Sequence, residues 1–325
     1  MSRWLGDSAL ERLRAAADAP DLEGTRYRVV GKLGQGGMAG VFRVEDAALQ
    51  RQVALKVITA GDPGDAWSER LLQEARVIAS LEHPGIVPVH DAGLLADGRA
   101  FYAMKLVQGK RLDEHAQALP KLADRLRAFL RICDAVAFAH AAGVLHRDLK
   151  PGNIMVGPFG EVLVMDWGLA KMVGQSPDDA ASRSAQWPVA PENAPATGTS
   201  HGTVLGTPGY TAPEQAQGLP SLDQRADVYS LGAILQFLLT DSSPPPRPLA
   251  AIQSQAMALD REYRYQTVAA LSTDVAHFLD GLPVSAYPEG PFAPARRWIV
   301  RNRVWILLLL AYVLTRALLI IFRSR

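Results

Sequence analysis

Asp148, Lys150 and Asn153 of the stretch HRDLKPGN bring a carboxylate, an ammonium and an amide oxygen to one turn of chain. Together they can accept a proton from a hydroxyl, neutralise charge on a phosphoryl group in transfer and coordinate a metal ion. A further acid, Asp166, follows 18 residues after Asp148, at the end of the apolar run EVLVMD. A bare carboxylate at a strand end suits a hard cation with oxygen ligands, and Asn153 is its natural co-ligand. Taken alone, Asp-Trp-Gly also fits an ordinary turn.

A phosphate-bearing partner needs donors as well. GQGGMAGV, Gly34 to Val41, lies between two predicted strands, where glycines let backbone N–H groups approach phosphate oxygens. By itself the stretch fits a glycine-rich hairpin equally well, and the absence of any GxxxxGK[ST] excludes a P-loop. Lys56 sits inside the strand-like run VALKV, where an ammonium costs free energy unless it meets an anion or snorkels from an edge. Leu71, Ala75 and Ile78 form an apolar stripe at i, i+4, i+7, and Glu74 shares its side, so its carboxylate faces inward and can pair with Lys56 unless it lies on the stripe's edge.

The elements that must hold these groups are legible in outline. From Tyr27 to Val107 short β-rich runs (YRVVGKL, GVFRVED, QVALKVI, AFYAMKLV) flank one helical segment, Trp67 to Leu81, predicting a small sheet with one helix. After Gly109 the pattern is mainly helical: LADRLRAFLRICDAVAFAHAAG, ADVYSLGAILQFLLT and VAALSTDVAHFLDGL. Leu169 to Thr211 is a 43-residue Ser/Thr/Pro/Gly-rich stretch, far beyond ordinary loop length and therefore a functional or partly disordered loop. Asp241 to Pro248 and Tyr287 to Ala295 read as stiff proline-rich linkers.

Composition bounds the rest. The 325 residues carry 34 basic and 33 acidic side chains, a net charge of +1 that offers no global field to nucleic acid. The lone cysteine, Cys133, excludes an internal disulfide and reads as a small core residue. The seven histidines show no structural metal spacing, and the N-terminus lacks a signal peptide's apolar core. The 19 residues from Val304 to Phe322 would span about 28 Å as a helix. Their apolar content favours insertion by about 4–8 kcal/mol against about 2.5–3.5 for Arg316. Arg296, Arg297, Arg301 and Arg303 precede this segment and Arg323 and Arg325 follow it, a bias that keeps the N-terminal part cytoplasmic.

In order, GQGGMAGV, VALK, QEARVIASLEHPGIV, HRDLKPGN, DWG, GTPGYTAPEQ, DVYSLG and YRYQT, spread from Tyr27 to Leu282, resemble a eukaryotic-type (Hanks-type) serine/threonine protein kinase of the membrane-anchored bacterial kind. The resemblance implies an α+β, two-lobed fold: an extension over 1–26, an N-lobe over 27–106, a C-lobe over 107–286 with its activation segment at 166–214, a basic juxtamembrane linker over 287–303, a transmembrane helix over 304–322 and a tail over 323–325. It implies that Leu33, Gly34, Gln35, Gly36 and Gly37 cover the phosphates of ATP, that Lys56 contacts them and pairs with Glu74, and that Val41 and Ala54 sandwich adenine. Met155 joins that ATP-binding set, Met104 is the gatekeeper, and the backbone of Lys105 to Val107 is the adenine-binding hinge.

Asp148 is then the catalytic base, Lys150 steadies the γ-phosphate, and Asn153 and Asp166 hold Mg²⁺. Arg147 pairs with a phosphorylated activation loop, for which Thr199, Ser200 and Thr203 are candidates, while Thr207 contacts Asp148 and Lys150. Glu214 is expected to pair with Arg264, and Trp167, where the family usually has phenylalanine, to pack under the helix carrying Glu74. Expected partners are ATP, proteins bearing Ser or Thr, the bilayer of the cell membrane through one span, and a second copy for trans-autophosphorylation, with no nucleic acid.

The sequence departs from the family at three places. Ala39 takes a third-glycine position, Lys105 replaces a common hinge acid, and the region after LGAILQFLLT lacks a usual helix and loop that serve substrate docking. That last departure leaves an alternative, a weak or inactive membrane-anchored kinase-like scaffold; a small-molecule phosphotransferase is disfavoured by the GTPGYTAPEQ platform.

Overall fold

Alternation along a single strand sets the layers of the N-terminal part. In β3 (Arg51–Ile58), Val53, Leu55 and Val57 enter one buried cluster and Ile58 enters the other, so the sheet is apolar on both faces. The computed structural model describes residues 19–35, 39–58, 65–115, 119, 121–167, 171–172, 209–219, 222–240, 244–288, 290 and 302–323. Its five-stranded antiparallel sheet has the order β1-β2-β3-β5-β4, with β1 (Tyr27–Gln35), β2 (Ala39–Asp46), β4 (Val89–Leu94) and β5 (Ala100–Lys105) around β3. Leu22, Tyr27, Phe42, Val44, Leu95 and Phe101 close the outer face.

Helix α1 (Asp65–Ala79) packs on the inner face through Leu71, Ala75 and Ile78, and Glu74 is buried among them. Burying Leu71 and Ile78 contributes about 1.5–3 kcal/mol each, which fixes the helix's rotation and obliges Glu74 to find a partner.

The second part is built on helices, as its periodicity predicts. Helices α3 (Leu122–Ala141), α5 (Arg225–Leu239), α6 (Arg247–Ala256) and α7 (Val268–Leu279) share one core with α1. Helix α5 is buried almost all round, the mark of a central element. A Cβ at its Gly232 would stand 2.8 Å from both Ala256 Cβ and Met257 Cγ, so glycine is what lets α6 approach. The proline-rich stretch expected as a linker through Pro248 is shorter than that. Helix α6 begins at Arg247, with Pro248 in its first turn, where a missing N–H costs nothing. Tyr287, expected in the next linker, also packs against the core.

Short elements complete this part: β6 (Lys110–Arg111), α2 (Leu112–His115), β7 (Val144–Leu145), a 3-10 turn (Pro151–Asn153), β8 (Ile154–Val156), β9 (Val162–Val164), β10 (Lys171–Met172) and α4 (Pro213–Ala216). Helix α8 (Arg303–Arg323) has a 21-residue backbone, and its Trp305, Leu307, Leu308, Leu309, Leu310 and Leu314 are exposed. Over the residues whose side chains are described, which in α8 end at Arg316, no helix is long and apolar enough to cross a membrane.

Candidate active site

Three strands and a helix bring the first cluster together. Val41, Lys56 and Tyr102 face one another across β2, β3 and β5, and Ala54 faces Met104, which places all five on the inner side of the sheet. Lys56 Nζ donates to Glu74 Oε1 at 2.8 Å and to Asp166 Oδ1 at 2.8 Å. The same Glu74 oxygen accepts the hydroxyl of Tyr102 at 2.8 Å. Burial opposes the charge on Lys56, but Tyr102, Glu74 and Asp166 outweigh it and hold the ammonium well above the ordinary lysine range. Its third N–H has no partner among the described residues.

Gly34 pairs with Val41 and Gln35 with Gly40, and a Cβ on Gly34 would meet nothing within 4 Å, so packing alone does not require glycine there. Leu33 is exposed, and Gln35 accepts from Lys32 at 2.6 Å. Gly36 and Gly37 lie outside the described residues. Lys105 is exposed with its backbone N–H donated to Pro88 O, Val107 is half-buried, and Met155, half-buried in β8, pairs with Leu163.

The second cluster is the turn between β7 and β8. Lys150 Nζ donates to Asp148 Oδ2 at 2.8 Å, and Asn153 Nδ2 donates to Asp148 O at 2.8 Å and Oδ2 at 3.2 Å. Both donors fall on one carboxylate oxygen, and Asp148 Oδ1 takes no side-chain hydrogen bond from the described residues. The Asn153 amide thus turns its N–H groups to Asp148.

Asp166 completes the arrangement from the end of β9, which Val164 N→Gly85 O (2.8 Å) and Met165 N→Asn153 O (2.9 Å) fasten in place. Asp166 has φ 59° and Arg147 φ 69°, left-handed conformations that non-glycine residues rarely take and that cost roughly 1–3 kcal/mol each. Burial would raise the Asp166 carboxyl, but Lys56, His146 and Lys150 hold it below the usual carboxylate range. Among the described residues no group of three or more His, Cys, Asp and Glu could hold a metal. Asn153 and Asp166 are instead two hard oxygen donors, which fits an ion such as Mg²⁺ that binds few protein ligands and keeps water or phosphate oxygens.

Sequence reasoning gave no role to the residue that holds this turn. Asp227, in the first turn of α5 and fully buried, accepts the backbone N–H of His146 and of Arg147 at 2.8 Å each, and His140 Nε2 lies 2.7 Å away. Burial alone would raise its carboxyl; these hydrogen bonds and the charges of His140 and His146 hold it low. The available signal was a lone acid opening an otherwise apolar helix. His146 is buried as well, its ring 4.5 Å from that of Trp167. Trp167 is wholly buried in the large core cluster that also takes in Leu71, Ala75 and Ile78 of α1. The buried Nε–H of Arg147 finds no acceptor among the described residues. Glu214 takes Arg264 Nη1 at 2.6 Å and Nη2 at 2.8 Å, the expected partner. Thr199, Ser200, Thr203 and Thr207 lie outside the described residues.

Comparison with known proteins bears on the same residues. The family model described as "Protein kinase domain" matches residues 27–285. The chain is 36% identical over 299 residues to the serine/threonine-protein kinase PknD of Protochlamydia amoebophila, covering 78% of this chain and 30% of that protein. It is 33% identical over 302 residues to a probable serine/threonine-protein kinase of Streptomyces coelicolor, covering 83% of this chain and 42% of that protein. The chain thus spans less than half the length of these relatives. Among solved structures it is similar to the Mycobacterium tuberculosis PknI kinase domain, with a TM-score of 0.57 at 24% identity over 80% of this chain and 99% of that one, a likeness of fold.

Proposed function

The chain belongs to the protein kinase domain family, and from that premise we propose that it transfers the γ-phosphoryl group of ATP to serine and threonine hydroxyls of proteins. The observation that carries this reading is the Asp148 carboxylate, one oxygen of which is occupied by Lys150 and Asn153 while the other, without a donor among the described side chains, can take a proton. The substrate hydroxyl oxygen attacks the γ-phosphorus as its proton passes to Asp148 Oδ1, and the β–γ bridging oxygen departs with ADP. Lys150 neutralises charge growing on the phosphoryl group, and Lys56, oriented by Glu74, directs its remaining N–H to the phosphates. Leu33, Gly34, Gln35 and the glycines that follow cover those phosphates; Val41, Ala54, Met104, Met155 and the 105–107 backbone take adenine. Asn153 and Asp166 would hold Mg²⁺, which supplies charge neutralisation of the phosphate oxygens.

Arg147 supports a regulatory reading: its buried donor suits a phosphate on the activation segment, added in trans by a second copy. With Mg²⁺ and labelled ATP, the purified chain is expected to incorporate phosphate, and Asp148→Asn is expected to lose at least a thousandfold in rate. Mixed with the unaltered chain, the Asp148→Asn chain becomes labelled; equal self-labelling of both chains defeats the catalytic assignment.

Residues 304–322 serve as a membrane anchor in this reading, with the kinase part cytoplasmic. Their 19-residue apolar sequence, the helical backbone over 303–323 and the arginines preceding it support that role. The 325-residue chain is expected to stay with membranes through alkaline carbonate extraction and a chain ending at residue 303 to be released. A full chain recovered in the soluble fraction defeats the anchor.

A further inference from the structure

We infer that Tyr102 is a positioning residue for phosphoryl transfer, holding the Glu74 carboxylate in register with Lys56; the inference rests on the kinase reading above. Glu74 is a buried anion on a helix, and a helix lying on a sheet can roll or slide. Two donors from the sheet converge on its Oε1: the ammonium of Lys56 from β3 and the hydroxyl of Tyr102 from β5, each at 2.8 Å. Lys56 and Tyr102 are direct cross-strand partners, and the ammonium lies 5.7 Å from the centre of the tyrosine ring.

The division of labour follows from what each donor is free to do. Lys56 divides its N–H groups between Glu74 and Asp166, and its flexible four-carbon stem must also serve the phosphates. Tyr102 is 1% exposed, on a strand paired on both sides, and its hydroxyl has no solvent to turn to. A buried phenol keeps a partner, and this one's partner is Glu74. The hydrogen bond ties α1 to the rigid interior of the sheet through the carboxylate itself. Glu74 therefore does not depend on Lys56 alone to stay inward.

Tyr102→Phe removes the hydroxyl and leaves the ring. In the full chain, kcat/KM for ATP is expected to fall roughly tenfold, the factor corresponding to a hydrogen bond to a charged group, while Tm moves by no more than a few degrees. The decisive readout is coupling. In a Glu74→Gln background, where the carboxylate that Tyr102 positions is gone, adding Tyr102→Phe is expected to cost less than twofold more. Tyr102→Leu, which also lacks the hydroxyl, repeats the test should the phenylalanine variant be unstable, again as a loss that vanishes beside Glu74→Gln.

A Tyr102→Phe chain with kcat/KM within twofold of the unaltered chain overturns the inference. So does a loss of equal size in both backgrounds, since that is packing and not positioning. An unaltered chain without turnover overturns the kinase reading and the inference together; an active unaltered chain with an unaffected Tyr102→Phe overturns the inference alone.

Discussion

The ion pairs made by Arg264 and by Lys56 both join distant parts of this chain, and they are built to opposite specifications. Arg264 spends all five of its N–H groups: two on Glu214, the others on the carbonyls of Ala258, Arg225 and Leu259. Its guanidinium also lies 5.1 Å from the centre of the Tyr229 ring, and its side chain is 0% exposed. Lys56 has two carboxylate partners, and one of them, Asp166, is 50% exposed. A saturated cation pins α4, which carries Glu214, to the rest of the helical lobe; one with an N–H unpartnered among the described residues, and with an exposed partner, can engage an anion that arrives. Full satisfaction marks structure here, and a spare donor marks function.

The largest expected effect breaks the saturated pair. Arg264→Leu leaves Glu214 buried without a counter-charge and is expected to cost about 3–5 kcal/mol in urea unfolding. A loss under 1 kcal/mol removes the contrast. The same pair has a pH signature. Burial would raise the Glu214 carboxyl, but Arg264 holds it below the usual range. A depressed folded value means the stabilisation is complete above the unfolded value, about 4.3, and is lost as pH falls through the folded one. Acid unfolding below about pH 4 is therefore expected to be shallower in Arg264→Leu than in the unaltered chain.

The next effect addresses the unsaturated pair. Lys56→Met is expected to lower turnover by roughly 10²–10³ while stability changes much less than in Arg264→Leu, because Tyr102 still donates to Glu74. Parallel collapse of Tm in both variants contradicts the division between them. The smallest effect concerns Trp167, which is wholly buried and contributes no charge to either pair. Trp167→Phe is expected to cost about 1–2 kcal/mol for the space it empties, with turnover within a few-fold. A large rise or fall in turnover assigns the indole a part in setting loop position.

Much of the candidate site was readable before any fold was known. HRDLKPGN fixes the spacing of Asp148, Lys150 and Asn153 within one turn, and an i, i+4, i+7 stripe turns Glu74 inward, because both are local consequences of chain geometry. Local pattern also gave the long helices within two residues at most ends. It made the run EVLVMD legible as the strand β9 that ends before Asp166, but failed on β4 and on the other two- and three-residue strands of the helical lobe, which exist only through their cross-strand partners. It failed again at Pro248, which lies in the first turn of α6 rather than in a linker, because a proline is tolerated equally well in either place.

What the sequence alone determined is the inventory of chemistry: which acids, cations and amides are present and which of them must lie together on one turn or one helix face. Tertiary structure alone decided how far each group is already satisfied. Asp227 became the anchor of the turn that carries Asp148, and Tyr102 a second donor to Glu74, because strands and helices far apart in the chain were brought within hydrogen-bond range in a dry interior. Spacing along a chain cannot report desolvation or an oxygen's remaining lone pairs, and those are what separate a pair that only holds the protein together from one that can also meet a substrate.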